Sequence, residues 1–65
     1  MKTRIWLQSG NYIDCDESYS EVKEIIFAAR GMGEKSIELH SASGGVFWIR
    51  IASIEYIGEA KEKSD

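Results

Sequence analysis

Proline is absent from the 65 residues, so no strand edge is blocked by one. Cysteine and histidine occur once each, as Cys15 and His40. A single cysteine excludes an internal disulfide, and one cysteine with one histidine excludes a Cys/His zinc site. A lone reduced cysteine also suits a cytosolic protein. No apolar run approaches the ~20 residues of a membrane span. The opening residues, Met1 to Gln8, return to polar character too soon for a signal-peptide core. Basic residues are in the minority, 8 Lys and Arg against 11 Asp and Glu, for a net charge of −3. The chain as a whole therefore has no electrostatic claim on DNA, RNA or an acidic membrane.

Size sharpens these absences. Chains below ~70–80 residues rarely draw more than ~3–5 kcal/mol from one core and tend to need a staple. With disulfide and zinc excluded, two options remain: an efficient small core, or burial between subunits. The two tryptophans favour the second.

What is present reads mainly as strands. In Gly44 to Ile51, Phe47, Ile49 and Ile51 point one way and Val46, Trp48 and Arg50 the other. Lys2 to Gln8 alternates likewise, with Thr3, Ile5 and Leu7 inward and Arg4, Trp6 and Gln8 outward. Tyr12 to Asp16 follows, with Ile13 and Cys15 inward. Matching apolar faces selects a three-residue loop, Ser9-Gly10-Asn11, which pairs Leu7 with Ile13, Ile5 with Cys15 and Arg4 with Asp16. Asn11 is expected to take the left-handed position, and Asp14 to be solvated.

Ser18 and Glu21 form a capping-box pattern that opens a helix. Tyr19, Val22, Ile25, Ile26 and Ala29 make its buried stripe, and Gly31 is its expected stop. Phe27 lies off the stripe. The plainer expectation is a rim residue partly covered by a neighbour; the sharper one is an exposed contact for another subunit. Ser36 to Ala42 is a third strand, with Ile37 and Leu39 inward and Glu38 and His40 outward. A loop at Ser43-Gly44-Gly45 pairs Leu39 with Ile49, Ile37 with Ile51, Glu38 with Arg50 and His40 with Trp48. After Ile51 the alternation breaks, and Ile54 to Ile57 is expected as a short last strand or extended segment ended by Gly58.

The fold class is α+β: a small two-layer β-β-α-β-β domain over residues 1–58, with a possible fifth strand. It is expected to have one mainly antiparallel sheet, a single helix on one face and a charged, frayed tail at 59–65.

Most candidate chemistry fails on spacing or placement. Gly31-Met32-Gly33-Glu34-Lys35-Ser36 lacks the adjacent Gly-Lys and the strand-loop-helix order of a phosphate loop. Asp14 and Asp16 share a strand face, but only Glu38 could join them, too few oxygens for a cation. Cys15 is placed on the core side and His40 on the outer side, so they do not make a nucleophile and base. No cofactor or metal is implied, and catalysis is not expected.

The outer face remains: Arg4, Trp6, Tyr12, His40, Val46, Trp48 and Arg50, with Phe27 on the helix. Aromatic residues and arginine are enriched in protein interfaces. They also suit a nucleotide-like ligand, with a ring stacked on Trp or Tyr and phosphate on Arg4 or Arg50. Self-association ranks first. An amphipathic face shielded by its own long side chains ranks second, a small ligand third and nucleic acid last.

The layout of hairpin, capped helix, glycine-turned hairpin and closing Ile51-Ala52-Ser53-Ile54-Glu55-Tyr56-Ile57 resembles a class of short uncharacterised bacterial and phage proteins with an I-x-x-I-x-x-I ending. The likeness spans most of residues 2–57. It implies an accessory binding protein and brings no catalytic residues.

Overall fold

A computed structural model describes residues 2–60. The order is β1 (Lys2–Leu7), β2 (Tyr12–Cys15), α1 (Tyr19–Gly31), β3 (Ser36–His40), β4 (Val46–Arg50), a 3-10 turn (Ile51–Ser53) and β5 (Ile54–Ala60). The class is α+β. The strands form two antiparallel sheets, one ordered β2-β1-β5 and the other β3-β4. A bridge between Cys15 and Ser41 joins them, with Asp16 N–H donating to the His40 carbonyl at 2.8 Å and Ala42 N–H to the Asp14 carbonyl at 3.0 Å.

The fifth strand exists and is longer than its apolar residues suggested. Gly58 does not end it, because Arg4 pairs with Gly58, Thr3 with Glu59 and Lys2 with Ala60. Glu59 and Ala60 therefore belong to the sheet, and the rest of the expected tail lies outside the described residues.

Both hairpins keep the expected faces and loop length, but each register is moved by two residues. Ile5 pairs with Ile13 and Thr3 with Cys15, while Leu39 pairs with Phe47 and Ile37 with Ile49. One cause explains both shifts. A three-residue hairpin loop needs its left-handed residue in third place, where a glycine bulge forms. Gly10 and Gly44 take that place, with φ of 95° and 104°. The loops are thus Gln8-Ser9-Gly10 and Ala42-Ser43-Gly44, closed by Leu7 N–H to the Asn11 carbonyl and Ser41 N–H to the Gly45 carbonyl, both 2.9 Å. Asn11 is not left-handed; among the described residues only glycines have positive φ. A shift by two preserves every face, so the core is unaffected.

The helix starts as its sequence dictates. Glu21 N–H donates to Ser18 Oγ at 3.2 Å, and Ser18 N–H donates to Glu21 Oε1 at 2.8 Å. It ends later than expected. Gly31 is still helical, and Gly33, with φ of 75°, makes the reversal. Glu34 N–H reaches the Ala29 carbonyl at 2.8 Å and Gly33 N–H the Arg30 carbonyl at 3.1 Å, the paired bonds of a Schellman stop.

Ile5, Cys15, Val22, Ala29, Ile37, Leu39 and Ile49 form the buried core, with Ile25, Ile26, Phe47 and other aliphatics packed around it. Full burial of one such aliphatic side chain contributes about 1.5–3 kcal/mol. Thr3 is the buried polar member, and its hydroxyl donates to the Glu17 carbonyl at 2.7 Å. Tyr19 was expected in the helix stripe but is exposed. It sits at the first turn, where its ring meets Lys23 Nζ at 5.7 Å instead of the core.

Candidate functional site

The outer face divides into two unlike halves, one on each sheet. On the three-stranded sheet, Trp6 stands on the central strand with Tyr12 and Tyr56 opposite it on either side. The Trp6 and Tyr12 rings are 5.0 Å apart and tilted by 57°. The Trp6 and Tyr56 rings are 5.7 Å apart and nearly stacked, at 23°. This cross-strand ladder half-buries Trp6 with the chain's own aromatics. Arg4 extends it, placing its guanidinium carbon 3.9 Å from the centre of the Tyr12 ring.

Arg4 is also committed to a carboxylate. Its Nε and Nη2 donate to the two oxygens of Asp14 at 2.7 and 3.1 Å. The expected partner was Asp16; the two-residue register shift brings Asp14 opposite instead. The hydrogen bonds from Arg4 hold the Asp14 carboxyl below its ordinary range, and those to Asp14 raise Arg4. An arginine already gripped by a fork of two bonds and stacked on a tyrosine is poorly placed to take a ligand phosphate.

The outer face of the two-stranded sheet is bare. Val46 is 54% and Trp48 69% exposed, and Arg50 is exposed beside them. Their cross-strand neighbours are His40, Glu38 and Ser36, respectively. None of the aromatic pairs among the described residues includes Trp48. The structure therefore groups Arg4, Trp6 and Tyr12 in one mutually packed cluster, in which Trp6 is half-buried while Tyr12 and Tyr56 stay 48% and 54% exposed, and Val46, Trp48 and Arg50 in another with no aromatic partner among the described residues. Phe27 stands apart on the helix at 79% exposure, which overturns the rim expectation. It lines an open apolar groove of about 490 Å³ with Ile26 and Ile57, edged by Lys23, Glu24 and Arg30.

His40 leaves the outer-face cluster for a contact that its distance in sequence conceals. Its Nδ1 lies 2.6 Å from Glu17 Oε2, and its backbone N–H donates to the same carboxylate at 3.1 and 3.2 Å. Glu17 is 14% exposed and His40 63% exposed at the side chain. Burial raises Glu17, but the hydrogen bonds from the His40 ring and backbone outweigh it and leave that carboxyl lowered. The Glu17 carboxylate in turn raises His40. The pair ties the β2–α1 connection to the end of β3. Cys15 is fully buried, and burial pushes its thiol up. Thiol and imidazole are thus occupied separately, one in the core and one in an ion pair.

Two features of the surface escaped the sequence. Tyr56 was missed because the 3-10 turn resets the alternation before β5, hiding which face it would join. The open groove of about 760 Å³ lined by Arg30, Lys35, Arg50 and Glu34 was missed because it gathers the helix end, the start of β3 and the end of β4. No helix among the described residues is long and apolar enough to cross a membrane. No protein-family model, curated protein or solved structure matches the chain.

Proposed function

We propose that this chain is a small, non-enzymatic interaction module that works as a homo-oligomer through the outer face of β3 and β4. The observation that carries the proposal is Trp48, 69% exposed on a sheet face that the single helix does not cover. Trp6 supports it by contrast: where the chain has its own lid for a tryptophan, it uses one. Desolvating a tryptophan and an adjacent valine is the kind of contact that dominates interface energetics. A small accessory binding protein, as the closing isoleucine pattern resembles, would work in this way.

Sedimentation across a dilution series tests the proposal. The expected result is a mass above the monomer at tens of micromolar that falls on dilution, and a monomer throughout for Trp48→Glu. A monomeric wild-type chain at high micromolar concentration would overturn it.

A nucleotide-like ligand is the alternative, favoured by one observation. Arg50 has no carboxylate partner among the described residues and shares its groove with Arg30 and Lys35. Tryptophan fluorescence would then respond to some member of a nucleotide panel, and the response would be lost in Arg50→Ala. Silence across the panel would remove this alternative.

A further inference from the structure

The hydrogen-bond phase of the second hairpin shows which way the β4 backbone faces. Ser41 N–H donates to the Gly45 carbonyl, and Ile51 N–H to the Lys35 carbonyl, at the two ends of the ladder. In an antiparallel pair, bonded and non-bonded positions alternate. With the observed register, the bonded positions on β4 are Phe47 and Ile49, opposite Leu39 and Ile37. Val46, Trp48 and Arg50 are therefore the non-bonded positions, and their N–H and C=O groups point away from β3. No strand lies there among the described residues. The same three residues carry the bare side chains of the outer face, so backbone and side-chain vacancies coincide on one edge.

The free edge of β5 is defended. On β1, Thr3 and Ile5 bond toward β2, so Arg4 and Trp6 bond toward β5, opposite Gly58 and Tyr56. The outward groups of β5 then belong to Ile57 and Glu59. Pairing β5 with a second β5 about Ile57 would set Glu55 opposite Glu59, two carboxylates face to face, which is unfavourable. The edge of β4 has no such guard: no proline, no bulge, and one arginine.

We infer that two copies pair antiparallel along the free edges of β4, about a two-fold axis at Trp48, to make one continuous four-stranded sheet from the two β3–β4 hairpins. This rests on the self-association proposed above and narrows its contact from the outer face of β3 and β4 to the β4 edge of that face, where each Trp48 would flank the other. The axis follows from self-complementarity. Centring on Trp48 overlaps the whole of Val46–Arg50, sets each Trp48 against its partner copy and places Val46 under the aliphatic stem of the partner's arginine. Every other centre shortens the overlap: centring on Val46 or Phe47 sets Trp48 or Arg50 against Gly44 in the hairpin loop, centring on Ile49 sets Val46 against Ala52 in the 3-10 turn, and centring on Arg50 opposes like charges. An isologous pair of this kind closes as a dimer rather than growing into a fibre.

Two measurements on the full chain test the inference. Amide exchange at high and low protein concentration reads the backbone. The amides of Val46, Trp48 and Arg50 should gain protection with concentration, while those of Phe47 and Ile49 stay protected at both. Crosslinking reads the register. Directly opposite residues have Cβ atoms about 5 Å apart, whereas Val46 and its own copy, four residues apart along adjacent strands at ~3.4 Å per residue, would be about 14–15 Å apart. A short thiol-to-thiol crosslinker should therefore join Val46→Cys to Arg50→Cys in a mixture of the two variants, and join neither variant to itself. Peptide mapping distinguishes these links from any through Cys15. A dimer that persists with no gain in protection and no mixed crosslink would overturn edge pairing while leaving self-association standing. A monomer at every concentration would overturn both.

Discussion

Gly31 and Gly33 are two residues apart, and the structure gives them opposite roles that alanine substitution separates by sign. Gly31 lies in the last turn of the helix with negative φ, and a Cβ there would meet nothing within 4 Å. Alanine at a helical position is favoured over glycine by about 0.8–1.0 kcal/mol, less near an end, so Gly31→Ala should stabilise by about 0.5–1 kcal/mol. Gly33 also has open space around it, but its φ is 75°. A left-handed conformation costs an ordinary residue about 1–2 kcal/mol. The reduced freedom of the unfolded chain returns about 0.4–1 kcal/mol of that. Gly33→Ala should therefore destabilise by about 0.8 kcal/mol at mid-range and by about 1.6 kcal/mol at most. For a domain of this size, 1 kcal/mol corresponds to roughly 4–8 °C in Tm, so the two variants should melt on opposite sides of the wild type. The assay is thermal unfolding followed by circular dichroism at one fixed protein concentration, because association would shift Tm with concentration. If Gly31→Ala is the destabilised variant and Gly33→Ala the neutral one, the helix stops where the simpler expectation placed it, and the Schellman stop is refuted.

Other perturbations have equally definite outcomes. Leu39 is fully buried; Leu39→Ala should cost about 2–5 kcal/mol, enough to leave a chain of this size largely unfolded by circular dichroism. Cys15 should resist thiol reagents in the native protein and react at the rate of unfolding, because its thiol is buried and raised; fast stoichiometric labelling would contradict its place in the core. The Glu17–His40 pair makes stability depend on pH with a definite shape. His40 is raised from 6.5, so its contribution is full below that value and fades as pH climbs through the raised one. Glu17 is lowered from 4.5, so its contribution is full above that value and fades as pH drops through the lowered one. The pair therefore stabilises most between about 4.5 and 6.5. Urea midpoints measured across that range should peak inside it, and His40→Ala should flatten the peak; an unchanged profile in His40→Ala would remove the ion pair from the account.

Much of the fold was legible because its signals are local. Alternation placed Thr3, Ile5, Cys15, Ile37, Leu39 and Ile49 on the core side, and all are buried. The Ser18 and Glu21 pair marked the helix start, since both capping partners lie within one turn. The hairpin registers slipped by two because facial matching cannot tell a shift by two from none. Only the conformation of the turn can, and glycine in third place decided it. The same slip exchanged Asp14 for Asp16 as the partner of Arg4. The helix end was misplaced because two glycines stood close together and only backbone bonding selects between them. The Glu17–His40 contact joins residues 23 apart, and no local pattern encodes it. The aromatic face was legible as composition but not as arrangement. That Trp6 would be covered by Tyr12 and Tyr56 depends on β5 pairing with β1, a partnership set by tertiary structure.

If the proposed pairing is right, a second copy covers Trp48, whereas the chain half-buries Trp6 by itself. Quenching of tryptophan fluorescence by a soluble quencher, in a Trp6→Phe protein whose one remaining tryptophan is Trp48, tests it most directly. Accessibility should be high in dilute protein and fall as concentration rises through the association range. A Trp48 that stays equally open to the quencher from nanomolar to high micromolar protein would mean that no second copy covers it.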